Sequence, residues 1–216
     1  MPWDLIDTAD HADAHLELYR RNGVFMIRAN GLELMNGATH ESETALGHLA
    51  VELAPDDAPR ILIGGLGLGY TAAAAAAGLG GRGTVTVAEF SPAVIGWFHE
   101  HIRPAVLPSM PDNLDIVEAE VLIHLREQPR YDLVVLDVDN GPEPFTRVAN
   151  AALYGGDGLR VLRDRVNVGG AVLLWSGFEA PDFEARAVDA DFTVTRRAVS
   201  NGPRSALDHH IYILSA

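Results

Sequence analysis

The segment from Arg60 to Ala73, Arg-Ile-Leu-Ile-Gly-Gly-Leu-Gly-Leu-Gly-Tyr-Thr-Ala-Ala, constrains this chain more than any other. An apolar run, Ile61 to Ile63, ends in glycines at 64, 65, 67 and 69, and alanines 72 to 77 follow at once. The order predicts strand, tight glycine turn, helix. Glycine lets the backbone take positive φ and lets a ligand approach the main chain. The helix start then presents N–H groups and a positive dipole end to an electron-rich group. Gly64, Gly65, Gly67 and Gly69 are therefore candidate cofactor-binding positions, of the kind that hold nucleotide-type ligands on an open α/β sheet. A plain glycine turn without a ligand has the same spacing.

Composition narrows the partners. Sixteen basic residues against 30 acidic ones give a formal charge of −14. That disfavours nucleic acid and anionic membrane, which both reward a basic patch, and suits a cationic small molecule. Hydrophobic residues make up 48% of the 216, so a full core forms without staples. With no cysteine, disulfides, thiolate zinc sites and cysteine nucleophiles are excluded. No apolar run approaches the roughly 20 residues that span a bilayer. The acidic start, Met-Pro-Trp-Asp-Leu-Ile-Asp, lacks the layout of a signal peptide, so a cytoplasmic enzyme is expected.

The rest of the pattern alternates strand and helix. Asn30-Gly31 separates the apolar runs Val24–Arg28 and Leu32–Met35 and predicts a β-hairpin. Asp13 to Arg21 fits a short helix or a strand. A helix is expected over Glu41–Leu53, then strands at Ile61–Ile63, Thr84–Ala88, Leu114–Val117, Tyr131–Leu136 and Gly170–Trp175. Helices at Tyr70–Leu79, Pro92–Ile102, Val121–Glu127 and Ala149–Val166, the last broken by Gly155-Gly156, alternate with them. Phe192–Ala198 and His210–Leu214 follow without a helix between them and so pair antiparallel. The expected fold is α/β: a Rossmann-like, seven-stranded, mostly parallel sheet with one antiparallel strand (residues 51–216), preceded by a small β-hairpin and connecting helix (residues 1–50).

Acids recur where strands end, which is where ligands sit in such sheets. Glu89 closes the second strand, 25 positions after Gly64, where a carboxylate accepts both ribose hydroxyls of an adenosine. Glu120 follows the third strand, at a place suited to an adenine amino group. Asp137 ends the fourth, in Leu136-Asp-Val-Asp-Asn-Gly-Pro142. Each also has a plainer reading: a helix-capping acid for Glu89, solvated surface for Glu120, a turn-stabilising aspartate for Asp137.

Together these residues resemble the spermidine synthase-like branch of the class I S-adenosylmethionine-dependent methyltransferase fold. The resemblance runs from about Gly31 to Trp175. Leu34-Met-Asn-Gly37 is similar to the family's turn after the hairpin, and Ile63 to Gly69 to its glycine loop. Val87-Ala-Glu89 resembles its ribose-binding acid, and Glu118-Ala-Glu120 its adenine site with glutamate in place of aspartate. Asp137-Val-Asp-Asn-Gly141 resembles its catalytic loop, and Val166-Asn-Val-Gly-Gly170 the turn before its fifth strand.

The resemblance implies S-adenosylmethionine or its decarboxylated form as cofactor, and transfer of an aminopropyl or methyl group to an amine acceptor. It implies Asp137 as the catalytic carboxylate that deprotonates and orients the amine. Asp139, Asn140 and Glu43 are implied on the substrate side. A homodimer is implied as well. The chain departs from the family pattern at Asn140, which stands where the second loop aspartate is expected. It departs again around His40-Glu-Ser-Glu43 and in the lack of an aromatic-rich C-terminal lid.

Two other readings stay open: a non-catalytic relative that binds a nucleoside or protein partner, and an NAD-dependent oxidoreductase, since Gly67-Leu-Gly69-Tyr-Thr-Ala72 fits a loose dinucleotide pattern. His99 and His101 are two apart and fall on different helix faces, so no metal site is expected. Tyr70 and Trp175 are candidates to border the cofactor site, and His209-His210 a structural pair.

Overall fold

The computed structural model describes residues 2–12, 14–138, 141–142, 152–202 and 208–216. Two sheets are present among them. The first is antiparallel, in the order β1 (Asp4–His11), β2 (Ala14–Arg21), β3 (Val24–Ala29), β4 (Leu32–Asn36). The expected hairpin is thus one half of a four-stranded sheet, and the ambiguous segment before Arg21 is a strand. Two-residue turns set the register: Arg21 pairs with Val24 and Ala29 with Leu32. Asn22-Gly23 and Asn30-Gly31 both carry positive φ, the turn geometry that matches the twist of paired strands.

The second sheet has seven strands: β5 (Arg60–Gly64), β6 (Thr84–Glu89), β7 (Leu114–Glu118), β8 (Tyr131–Leu136), β9 (Val166–Ser176), β10 (Thr193–Ser200) and β11 (Asp208–Ser215). Their spatial order is β10-β11-β9-β8-β5-β6-β7. β5 through β9 pair in parallel, and β11 enters antiparallel between β9 and β10. This is the expected mostly parallel sheet with one reversed strand.

Alternation along each strand supplies two cores. Ile61, Ile63, Val135 and Leu173 face one side, while Leu62, Val134, Leu136 and Leu174 face the other. On the first side lie α1 (Glu41–Leu53), α2 (Tyr70–Leu79) and α3 (Pro92–Trp97), with a π turn at Phe98–Ile102 and the short α4 (Arg103–Val106) after it. Leu16, Leu18 and Ile27 of the N-terminal sheet join this same core. On the second side lie α5 (Val121–Glu127), α6 (Gly156–Arg165) and α7 (Pro181–Asp189). The indole N–H of Trp97 donates to Asp7 (2.7 Å) and pins β1 to the helical layer.

Three details differ from the sequence expectation. α7 is an extra helix, begun by Pro181 and anchored by Phe183 and Ala187, one helical turn apart and both buried. β9 begins at Val166 rather than Gly170. Its bulge fits Gly170 against the Asp132 carbonyl, where a Cβ would lie 2.4 Å from the oxygen. The helix expected over residues 149–166 falls partly outside the described residues, and its described part ends at Arg165.

α1 and α2 cross closely because small residues meet there. A Cβ on Gly47 would lie 2.5 Å from the Thr71 carbonyl oxygen and 2.7 Å from the Ala74 methyl. That contact carries Glu43, one turn earlier on α1, towards the carboxyl ends of the parallel strands.

Candidate active site

A cavity opens at the carboxyl ends of β5, β6 and β8, under the N-terminal sheet. Gly65, Gly67, Glu89, Glu120, Asp137 and Glu43 all border it. Ala88, Ala119, Val121 and Leu122 supply an apolar wall. Six residues selected from separate stretches of sequence therefore share one space.

The glycine loop is built against protein as well as against the cavity. Gly65 has φ of +90°, and a Cβ there would lie 2.3 Å from the Asp137 carbonyl oxygen. Any side chain would push the loop away from β8. Met35 seats the other side of the loop, its sulfur accepting from the Leu68 N–H (3.0 Å). The Leu34-Met-Asn-Gly37 turn is thus in direct contact with the glycine loop. Gly64 and Gly69 do not border the cavity; added Cβ atoms there would meet Val121 at 2.6 Å and the Phe98 ring at 2.4 Å. Tyr70 also turns away, its ring stacked on His40 at 3.8 Å.

Glu89 fastens the loop to β6. One carboxylate oxygen accepts from the Leu66 N–H (2.9 Å), the other from the Ser91 N–H (2.8 Å). Ser91, in turn, caps α3 by accepting from the Val94 N–H. Glu120 sits at the start of α5 on the cavity wall.

The acids Glu43 and Asp137 lie together at one end of the cavity. Glu43 is 6% exposed, and burial pushes its carboxyl above the usual carboxylate range. Asp137 is pushed further, to about 7, by burial and by the neighbouring charge of Glu43. Thr71, on the first turn of α2, donates its hydroxyl to Asp137 Oδ2 (2.6 Å) and partly offsets the rise. The same hydroxyl oxygen lies 3.1 Å from the Glu43 carbonyl oxygen. One hydroxyl proton cannot serve two acceptors. A protonated Asp137 satisfies all three groups: it donates to Thr71, and Thr71 donates to the carbonyl. A carboxyl that gains and loses its proton near neutral pH is suited to general base work.

Asp139 and Asn140 lie outside the described residues. Thr71 was not anticipated from sequence, although a single hydroxyl in the first turn of an alanine helix, two positions after Gly69, was the available signal. Trp175 does border the cavity. Its indole Nε1 and His11 Nε2, also on the wall, are buried without a hydrogen-bond partner among the described residues. No group of acids and histidines suited to a metal ion occurs among the described residues, and none of their helices is long and apolar enough to cross a membrane.

No family model and no curated protein sequence matches the chain. Solved structures do. Spermidine synthase from Thermotoga maritima is similar with a TM-score of 0.75 at 14% identity, over 98% of this chain and 73% of that one. A spermidine synthase in complex with the transition-state analogue AdoDATO gives 0.73 at 13%, over 98% and 72%. Human methyltransferase-like protein 13 in complex with SAH gives 0.64 at 17%, over 81% and 82%. The share gained with the spermidine synthases is about the length of the N-terminal sheet. With its seven-stranded sheet, its single reversed strand and its antiparallel N-terminal sheet, the chain has the class I methyltransferase fold in a form similar to that of the spermidine synthases.

Proposed function

We propose that the chain is a transferase that binds an adenosyl sulfonium, S-adenosylmethionine or its decarboxylated form, and moves an aminopropyl or methyl group to an amine. The observation that carries this reading is the convergence of the glycine loop, Glu89 and the Glu43–Asp137 pair on one cavity. Gly65 and Gly67 offer main chain for close approach, Glu89 and Glu120 offer acceptors for hydroxyl and amino groups, and the apolar wall suits an aromatic base. The structural neighbours in complex with SAH and AdoDATO support an adenosyl ligand.

When bound, the sulfonium supplies an electrophilic carbon and a neutral thioether leaving group. The chain's own residues handle the acceptor. A protonated amine has no lone pair to give, so its proton must go to a base first. Asp137, with its carboxyl at about 7, takes that proton and holds the amine in line with the help of Thr71. Glu43 adds a second negative charge that retains a cationic amine.

The described cavity wall bears two acids at this end and neither lysine nor arginine. A carboxylate placed there meets repulsion, whereas an ammonium meets attraction. This favours the decarboxylated sulfonium, and with it aminopropyl transfer, over S-adenosylmethionine.

Thermal shift with methylthioadenosine, S-adenosylmethionine, its decarboxylated form and NAD tests the reading. A ligand at a hundred times its Kd stabilises by about 2.7 kcal/mol. Stabilisation is expected from methylthioadenosine and most strongly from the decarboxylated sulfonium. A response to NAD alone overturns the proposal.

A further inference from the structure

A second cavity lies beside the first, behind Glu43 and Trp175, which border both. Glu33, Phe178, Asn201 and His209 form part of its wall. Between Glu43 and His209, at the edge of this second cavity, stands Ser42, fully buried at 0% exposure. Its hydroxyl donates to Glu43 Oε2 at 2.5 Å and lies 3.0 Å from His209 Nδ1. The Asn201 side-chain oxygen is a third neighbour at 3.2 Å. A buried serine is no nucleophile, but a hydroxyl between two titratable groups accepts a proton on one side while donating one on the other.

The two arrangements are easily written. With Glu43 ionised, Ser42 donates to Glu43 and His209 Nδ1–H donates to Ser42. With Glu43 protonated, its O–H donates to Ser42, Ser42 donates to Nδ1, and the histidine proton sits on Nε2. Shifting both protons along the second arrangement leaves Glu43 as a carboxylate and His209 as an imidazolium. Loss of the Nε2 proton to water then restores the first.

We propose that Glu43, Ser42 and His209 form a proton wire from the reaction cavity to the second cavity. Asp137 takes the first proton, from the ammonium before attack; the wire would carry off the second, which the new ammonium gives to Glu43 once the amine lone pair has formed the C–N bond and the C–S pair has returned to sulfur. The inference rests on the transferase reading for that use, although the wire itself does not depend on it.

Electrostatics support the transfer in both directions. Burial raises the Glu43 carboxyl and lowers the His209 imidazole, so their proton affinities approach each other. His209 also faces Asp208 and His210 on its own strand, the former raising its proton affinity and the latter lowering it. His40 and Glu41 act on Glu43 from the start of α1, Asp137 is coupled to it from the end of β8, and Glu33 borders the second cavity from β4. From β9 the Trp175 ring meets the imidazole edge-on at 4.7 Å and fixes its plane.

The test reads His209 directly. Ring 15N shifts of labelled protein, recorded from pH 5 to 9 without ligand, report which nitrogen carries the proton. The expected result is a change of neutral tautomer as Glu43 titrates, held in the Nδ1–H form at high pH. Ser42→Ala and Glu43→Gln should each abolish the change, with folding verified by near-ultraviolet circular dichroism. A single tautomer across the range in the wild type, or a change that survives Ser42→Ala, overturns the wire. Under turnover, His209→Gln should lower the rate at least tenfold where the wild-type imidazole is neutral, with the loss fading toward acid as that imidazole is protonated, and leave methylthioadenosine affinity unaltered. A uniform loss at every pH also overturns it. A tautomer change in a protein that binds no adenosyl compound would support the wire and sink the transferase reading, so the two failures are distinguishable.

Discussion

Asp137→Asn should stabilise this protein in alkali while abolishing turnover. The carboxyl of Asp137 moves from 3.8 when unfolded to about 7 when folded, because burial and Glu43 oppose its charge. Below pH 3.8 it is neutral in both states. From there to about pH 7 the unfolded chain releases its proton and the folded chain keeps it, so folding stability falls across that window. At about 1.4 kcal/mol per pH unit, the full span makes roughly 4 kcal/mol and the part above pH 5 roughly 3 kcal/mol. These are upper bounds, since Asp137 borders the cavity and solvent there screens the charge. Asparagine has the same shape and no charge, and its amide can donate to Thr71.

The advantage of the variant over wild type should therefore grow by up to about 3 kcal/mol between pH 5 and pH 8. For a chain of this size that is roughly 6–12 °C in melting temperature. Urea melts of both proteins at the two pH values measure it, and effects of asparagine that do not depend on pH cancel in the comparison. An advantage that is equal at both pH values, or larger in acid, would show that Asp137 carries no strained charge and remove the basis for its role as base.

Three further outcomes follow from the geometry. Glu89→Gln keeps the shape but gives up charged hydrogen bonds, so methylthioadenosine affinity should drop at least tenfold by calorimetry; an unchanged Kd refutes the ribose assignment. Gly65→Ala meets both a positive φ and the Asp137 carbonyl oxygen at 2.3 Å, so it should cost more than about 2 kcal/mol in denaturant melts, and near-neutral stability would contradict the packing described. Thr71→Val removes the hydrogen bond that lowers the Asp137 carboxyl, so the acid limb of the pH–rate profile should move to higher pH, and an unmoved limb would exclude that coupling.

Much of the second sheet was legible because its signals are local. Buried parallel strands need short apolar runs, and Ile61–Ile63 and Tyr131–Leu136 have them. The glycine cluster before six alanines fixes a strand-turn-helix, and a tail without a crossover forces one reversed strand. The N-terminal sheet was half legible. Asn22-Gly23 and Asn30-Gly31 specify two turns, but β1 is acidic and largely exposed, and nothing local tells it to pair with β2. The helix Pro181–Asp189 was missed because only Phe183 and Ala187 mark its apolar side.

By itself, then, the sequence determined most of the strand–helix alternation of the second sheet, its glycine turn and the acids that close its strands, since each depends on neighbours a few residues away. Tertiary structure alone decided which of these groups meet. Thr71 reaches Asp137 across 66 positions, and Ser42 reaches His209 across 167. Glu43 comes to the same cavity because Gly47 lets α1 settle against α2. Burial in that shared space raises the two carboxyls, and burial is a property of the packed molecule that no single stretch of chain carries.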